Sequence, residues 1–206
     1  AMRLPVWNKP RIIGCAENFP QHIGLPRGCL DAVLDLLQEN DIRPELQDER
    51  LAGRKVTAKF TGTLRKDQKA AVREMFKHEV GVLCAPTAFG KTVTAAALIA
   101  RRKVSTLVLV HRTELLRQWQ ERLTGFLEFP KGSLGVIGGG KKKPSGKIDI
   151  AVMQSLSRRE DLGELLDQYG QIIIDECHHL SAFSFEAILK QAKAKFVVGL
   201  TATPIR

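Results

Sequence analysis

The sequence predicts an α/β fold in which one mainly parallel sheet with helical crossovers is preceded by a small α/β module. Three observations carry that expectation. Short Val/Ile/Leu runs recur six times between residues 80 and 200, separated by helix-patterned segments; apolar runs buried on both faces belong to parallel sheets. A small-residue loop, Ala85 to Thr92, ends in Gly90-Lys91-Thr92 between a strand pattern and a helix pattern. An acidic pair, Asp175-Glu176, closes a later apolar strand.

Taken in order, residues 1–62 read as the small module: a strand at Arg11 to Cys15, a loop with Pro20 and Pro26, a helix from Arg27 to Glu39, and an extended piece near Glu45 to Arg50. Leu30, Val33, Leu34 and Leu37 recur at helical spacing and mark one face for burial. A further strand is expected at Lys55 to Phe60. Residues 63–206 then alternate helices and strands. A helix over Lys66 to Phe76 leads to strands at Gly81 to Cys84, Thr106 to Val110, Leu134 to Ile137, Ile148 to Val152, Ile172 to Asp175 and Phe196 to Leu200, with a helix from Thr92 to Ala100 after the first. Gly138 to Lys147, with three glycines and three successive lysines, reads as a solvated basic hairpin or connection.

At 206 residues the chain can enclose one good core, or one core with a small appendage. No run approaches the roughly 18 apolar residues of a membrane span, and the N-terminus has no apolar signal core, so a cytoplasmic location without membrane contact is expected. Cys15, Cys29, Cys84 and Cys177 include no C-x-x-C pair and are expected to stay reduced. Cys177-His178-His179 lacks a second ligand pair at zinc spacing, which disfavours a structural metal. The net charge of +10 is uneven: residues 63–206 hold 23 cations against 14 carboxylates. A polyanion partner is the expectation.

Holding phosphates requires converging backbone N–H groups, a helix N-terminus and one mobile cation. The segment Ala85-Pro86-Thr87-Ala88-Phe89-Gly90-Lys91-Thr92 meets that need, although Ala85 stands where the G-x-x-x-x-G-K-[ST] pattern has its first glycine. Gly90 permits close approach, Lys91 would reach the β and γ phosphates of ATP, and the Thr92 hydroxyl would ligate Mg2+. Asp175, at a strand end, is the natural second magnesium ligand, and Glu176 beside it can polarise an attacking water. The alternative for the acidic pair is a helix cap.

Six segments in fixed order carry a resemblance. They are Leu64-Arg-Lys-Asp-Gln68, Ala85 to Thr92, Leu109-Val-His-Arg-Thr-Glu-Leu-Leu116, Asp149-Ile-Ala-Val-Met-Gln-Ser-Leu156, Asp175-Glu-Cys-His178 and Thr201-Ala-Thr203. Together they resemble the first RecA-like motor domain of superfamily 2 helicases, over residues 63–206. The Asp-Glu-x-His box is similar to that of XPB-type repair helicases and of restriction-enzyme motor subunits, although Ala88-Phe89 departs from the usual loop sequence. A small module before Leu64 also looks like the XPB-like arrangement, and residues 10–40 resemble helicases of bacterial conflict systems.

The resemblance implies that Gln68 reads adenine and that His178 couples the nucleotide site to Thr201 and Thr203. It places nucleic-acid contacts on Arg112 and Thr113, the turn at Gly139, and Gln154 and Ser155, made to phosphates rather than bases. It implies a DNA helicase or translocase, with DNA favoured over RNA, completed by a second RecA-like domain that supplies an arginine finger. Without that domain the chain is expected to hydrolyse ATP slowly at best. The competing reading is a P-loop switch ATPase, or an RNA remodeller that separates no strands; the Gln68 and Thr201-Ala-Thr203 segments argue against a simple switch.

Overall fold

The computed structural model describes residues 16–179 and 183–203, which fall into two compact units divided between Asp48 and Glu49. The strand expected at Arg11 to Cys15 lies outside the described residues.

Among its described residues the first unit contains an antiparallel pair, β1 (Glu17–Asn18) and β2 (Ile23–Gly24), and one α-helix, α1 (Leu30–Glu39), entered through a 3-10 turn at Arg27–Cys29. The ring of Phe19 stacks on His22 with centroids 4.4 Å apart. The face expected to be buried is only half covered: Val33, Leu34 and Leu37 are intermediate, and Leu30 is exposed. Among the described residues, one helix and two two-residue strands supply too little surface to enclose it.

The second unit is built on seven strands in the order β4-β11-β10-β5-β9-β7-β8. They are β4 (Val80–Cys84), β5 (Thr106–Val110), β7 (Leu134–Gly138), β8 (Lys141–Lys143), β9 (Ile148–Val152), β10 (Gln171–Ile174) and β11 (Phe196–Thr201). All neighbours pair parallel except β8, which runs antiparallel to β7 and makes the Gly138 to Lys147 segment a hairpin. β3 (Lys59–Phe60) and β6 (Leu127–Glu128) form a separate antiparallel pair.

One face of the sheet packs on α3 (Lys91–Arg102) and α4 (Thr113–Phe126), with α2 (Lys66–Lys77) against α3. Leu98, Ile99, Val108, Val110, Trp119, Leu123 and Ile150 make that core. The other face packs on α5 (Met153–Leu156), α6 (Leu162–Leu166) and α7 (Phe183–Gln191), with Leu107, Leu109, Ile172 and Ile174 inside. Alternate residues of one strand thus enter opposite cores, as the two-residue period demands.

Residues 49–62, which the sequence suggested belong to the N-terminal module, lie within this second unit. Leu51 bridges Ala194, Lys55 bridges Val104, and Val56 and Ala58 are buried. Gly53, at φ +78°, crosses so close to Gly170 that an added Cβ would stand 2.4 Å from its backbone N. The segment is a strap across the edge of the sheet where β5 and β10 begin.

Candidate functional site

The parallel strands all end on one edge, and every candidate site residue except Gln68 lies on a loop or element end there. Sheet order sorts them. β4, β11 and β10 lead into the phosphate-loop sequence, the Thr201 segment and Asp175-Glu176; β5, β9 and β7 lead into Arg112-Thr113, Gln154-Ser155 and Gly139. The first group is the candidate nucleotide half, and the second the candidate nucleic-acid half.

In the nucleotide half, the chain leaves β4 at Ala85, makes a 3-10 turn over Thr87–Phe89 and enters α3 through Gly90 in the left-handed region at φ +83°. That conformation costs a residue with a Cβ about 1–2 kcal/mol, and here a Cβ would also lie 2.7 Å from Gln68 Nε2. Lys91 is 6% exposed, and its ammonium donates to the Ala85 carbonyl at 3.0 Å, spanning the loop from end to start. Pro86, Thr87 and Ala88 are exposed and Thr92 is half-buried. Gln68 is buried: its Nε2 donates to the Phe89 carbonyl at 2.7 Å and its Oε1 accepts from the Arg65 backbone N–H at 2.9 Å. The Arg65 guanidinium donates to the same Phe89 carbonyl at 2.9 Å. The loop is therefore held from α2 by two side chains, of which sequence reasoning named only Gln68.

The acidic pair sits beside it. Asp175 Oδ2 accepts from the indole Nε1–H of Trp119 at 2.7 Å. Burial raises the Asp175 carboxyl above the usual aspartate range; the Trp119 bond opposes this, and the charge of Glu176 adds to it. Glu176 is one of three described non-glycine residues at positive φ, +49°, which turns the chain sharply as it leaves β10. Its Oε2 is buried and without a hydrogen-bond partner, 3.2 Å from His178 Nδ1 in a geometry that makes an ion-pair contact but no hydrogen bond.

His178 Nδ1 instead meets Thr201 Oγ1 at 3.0 Å. The Thr201 hydroxyl donates its only hydrogen to the Thr203 carbonyl at 2.9 Å and accepts from the Thr203 N–H at 3.1 Å. A carbonyl can only accept, so His178 Nδ1 must carry a proton and donate to Thr201. The Ala85 N–H donates to the Thr201 carbonyl at 2.9 Å, so the candidate phosphate loop and the Thr201 segment share a backbone bond.

In the other half, Arg112 and Thr113 are exposed at the start of α4, Gln154 is exposed and Ser155 half-buried on α5. Gly138, Gly139 and Gly140 all have positive φ, and a Cβ on Gly139 would lie 2.9 Å from Thr113 Cγ2. The turn after β7 and the loop after β5 are thus in contact above the intervening β9.

Trp119 is the residue that sequence reasoning missed. It stands at helical spacing with Leu116 and Leu123, and all three are buried. The available signal was the indole N–H, which needs a partner when buried.

A strand, a loop entering a helix at a left-handed glycine, a buried lysine and a strand-end aspartate have the arrangement of a P-loop core. Its six parallel strands and motif order make it a RecA-like domain of the superfamily 2 helicase kind. Residues 61–206 match the family model described as "Type III restriction enzyme, res subunit", and the chain belongs to that family. It is 34% identical over 143 residues to the DNA 3'-5' translocase XPB2 of Sulfurisphaera tokodaii, covering 69% of this chain and 31% of that protein. The UvsW helicase of bacteriophage T4 superimposes with a TM-score of 0.67 at 19% identity, covering 90% of this chain and 73% of that one. The Sulfolobus solfataricus SWI2/SNF2 ATPase core in complex with dsDNA gives 0.60 at 22%, covering 77% and 35%. The chain spans 31% to 51% of the length of the first three curated relatives it matches.

Proposed function

We propose that this chain is the ATP-binding motor half of a DNA translocase or helicase, with residues 1–48 as an accessory unit and a second RecA-like domain completing the nucleotide site in the longer protein. The observation that carries this is the division of one sheet edge into a phosphate-loop half and a half that presents Arg112, Thr113, Gly139, Gln154 and Ser155 on adjacent loops. DNA is favoured over RNA because relatives of this sequence are named DNA translocases and helicases.

The residues present fit ATP with Mg2+. Lys91 occupies the loop mouth on a carbonyl it can exchange for phosphate oxygens, and Gly90 leaves the space a Cβ would fill. Thr92 and Asp175 are oxygen donors of the type a hard divalent cation takes, with water and phosphate completing its shell. When bound, the cation would neutralise charge on the β and γ phosphates. Lys91 would follow the terminal phosphate, and the α3 N-terminus would add its dipole. Glu176, with a buried and unbonded Oε2, would orient the attacking water and take up its proton. His178, through its Nδ1–H to Thr201, would report that change to the Thr201–Thr203 segment. Gln68 and Arg65 would sense nucleotide through the Phe89 carbonyl.

The test is ATP hydrolysis by the longer protein with no polymer, single-stranded DNA, duplex DNA or RNA. Stimulation by DNA that is lost in Lys91→Ala and Glu176→Gln establishes the motor; hydrolysis indifferent to every polymer rejects it in favour of a switch.

A further inference from the structure

A second cationic feature lies away from the sheet edge just described. A cleft of about 1040 Å³ opens between α2, α3 and the strap. One wall is the α2 row Lys66, Lys69 and Arg73; the other carries Lys55, Lys59 and, just past α3, Lys103. All six are exposed, and no carboxylate lines the cleft. The carboxylates of α2 are engaged elsewhere, Asp67 with Arg65 at 3.2 Å and Glu74 with Lys77 at 2.7 Å. None of the six cations forms an ion pair among the described residues. With Arg101 of α3, which also lines the cleft, seven like charges repel one another and would gain from an anionic ligand.

The cleft is not the nucleotide site. Lys103 stands twelve residues along from Lys91, about 18 Å at the rise of an α-helix. The floor, with Ala70, Ala97 and Ala100, carries small side chains that let a backbone approach closely. Lys66 to Arg73 spans about 10 Å of helix, the distance over which one strand of B-DNA carries about three phosphates.

We propose that this cleft binds the sugar–phosphate backbone of duplex DNA, with Lys66, Lys69 and Arg73 meeting successive phosphates and Lys55, Lys59 and Lys103 closing the opposite wall. It is a second contact, separate from the Arg112–Thr113 loop, and would hold a flank of the duplex whose other part lies on the motor edge. This rests on the reading of the chain as a DNA-acting motor. A site without base-reading groups should be sequence-tolerant and salt-sensitive.

The test is fluorescence anisotropy with a labelled 20-base-pair duplex across a salt series, using the full-length protein, a Lys66→Gln/Lys69→Gln/Arg73→Gln variant, a Lys55→Gln/Lys59→Gln variant and an Arg112→Ala variant. Loss of about three phosphate contacts should lower the slope of log K against log salt by about 2–3. The triple variant should bind at least tenfold more weakly at low salt, and the double variant should weaken in the same sense, both with ATP binding unchanged. If the cleft variants bind as the parent while Arg112→Ala weakens, the cleft proposal fails and the motor reading stands. If the parent binds no duplex, both fail; if poly-glutamate displaces the duplex from the cleft at equal charge concentration, a protein partner replaces DNA there.

Discussion

The indole N–H of Trp119 donates to Asp175 Oδ2 at 2.7 Å. Trp119 lies on α4, six residues after Thr113 at its start, so the helix that begins at the candidate nucleic-acid loop also holds the candidate magnesium carboxylate. Movement of α4 as Arg112 and Thr113 meet a phosphate would shift the indole, and with it the carboxylate. The two halves of the sheet edge are therefore joined by a side-chain bond as well as by the backbone.

Trp119→Phe keeps the ring in its buried place and deletes only the donor. Residues that orient a metal-binding carboxylate typically change metal affinity by about 10–100-fold, so half-maximal hydrolysis should require at least about tenfold more Mg2+. A magnesium titration of ATPase activity, with and without DNA, reads this directly. An unchanged requirement would leave Trp119 as packing alone.

Asp175 should show a trade between stability and function. Its folded-state carboxyl titrates above the ordinary 3.8, chiefly through burial. The folded state thus holds that proton more tightly, and the contribution is full below the ordinary value and lost as pH rises through the raised one. At neutral pH the ionised group costs stability. Asp175→Asn should raise Tm by about 2–4 °C, corresponding to about 1 kcal/mol in a domain of this size, and abolish hydrolysis. Melting curves from pH 3 to 8 should show the gain disappearing at the acid end.

Thr201→Val conserves shape and removes the hydroxyl that bridges His178 to Thr203. Nucleotide affinity should stay within about twofold, whereas hydrolysis should fall about tenfold or more, since an interaction needed after binding has gone. Stopped-flow binding of a fluorescent ATP analogue beside steady-state turnover separates the two effects. A parallel loss of affinity would contradict a coupling role.

Asp149 is fully buried and accepts from Tyr169 Oη at 2.6 Å, the Ser145 N–H at 2.7 Å and the Gly146 N–H at 2.8 Å. It ties the end of the basic hairpin to the sheet. Asp149→Ala leaves two backbone donors and one phenol unpaired and should cost about 3–5 kcal/mol; Tyr169→Phe should cost about 1–3 kcal/mol. Urea unfolding gives both values, and hydrogen exchange at Ser145 and Gly146 should accelerate first.

Local patterns located most of the second unit. Thr106–Val110 and Ile148–Val152 were legible to the residue, because a strand buried on both faces is a mainly apolar run, which Asp149 alone interrupts in the second. The strand–loop–helix that carries the candidate phosphate loop was legible because its signals are contiguous, from the apolar run before Ala85 to the helix that begins at Lys91. What the local pattern misjudged was membership. Residues 49–58 look like module or linker, yet they strap the sheet through Leu51, Lys55 and Val56, since pairing partners 50 to 140 residues away leave no mark on an irregular segment.

By itself, the sequence determined the α/β class and the strand–loop–helix around Lys91, and it singled out Asp175, Glu176, His178 and Thr201 as candidates, because each depends on residue type and short spacing. Only the tertiary structure decided which strands are neighbours, and hence that the candidate nucleotide and candidate nucleic-acid residues occupy separate halves of one edge. It alone gave the Trp119–Asp175 bond, the proton on His178 Nδ1 and the gathering of Lys55, Lys59 and Lys103 opposite the α2 cations. Hydrogen bonds and electrostatic fields act through space, over distances fixed by packing, and residues far apart in the chain become partners only when the sheet order brings them together.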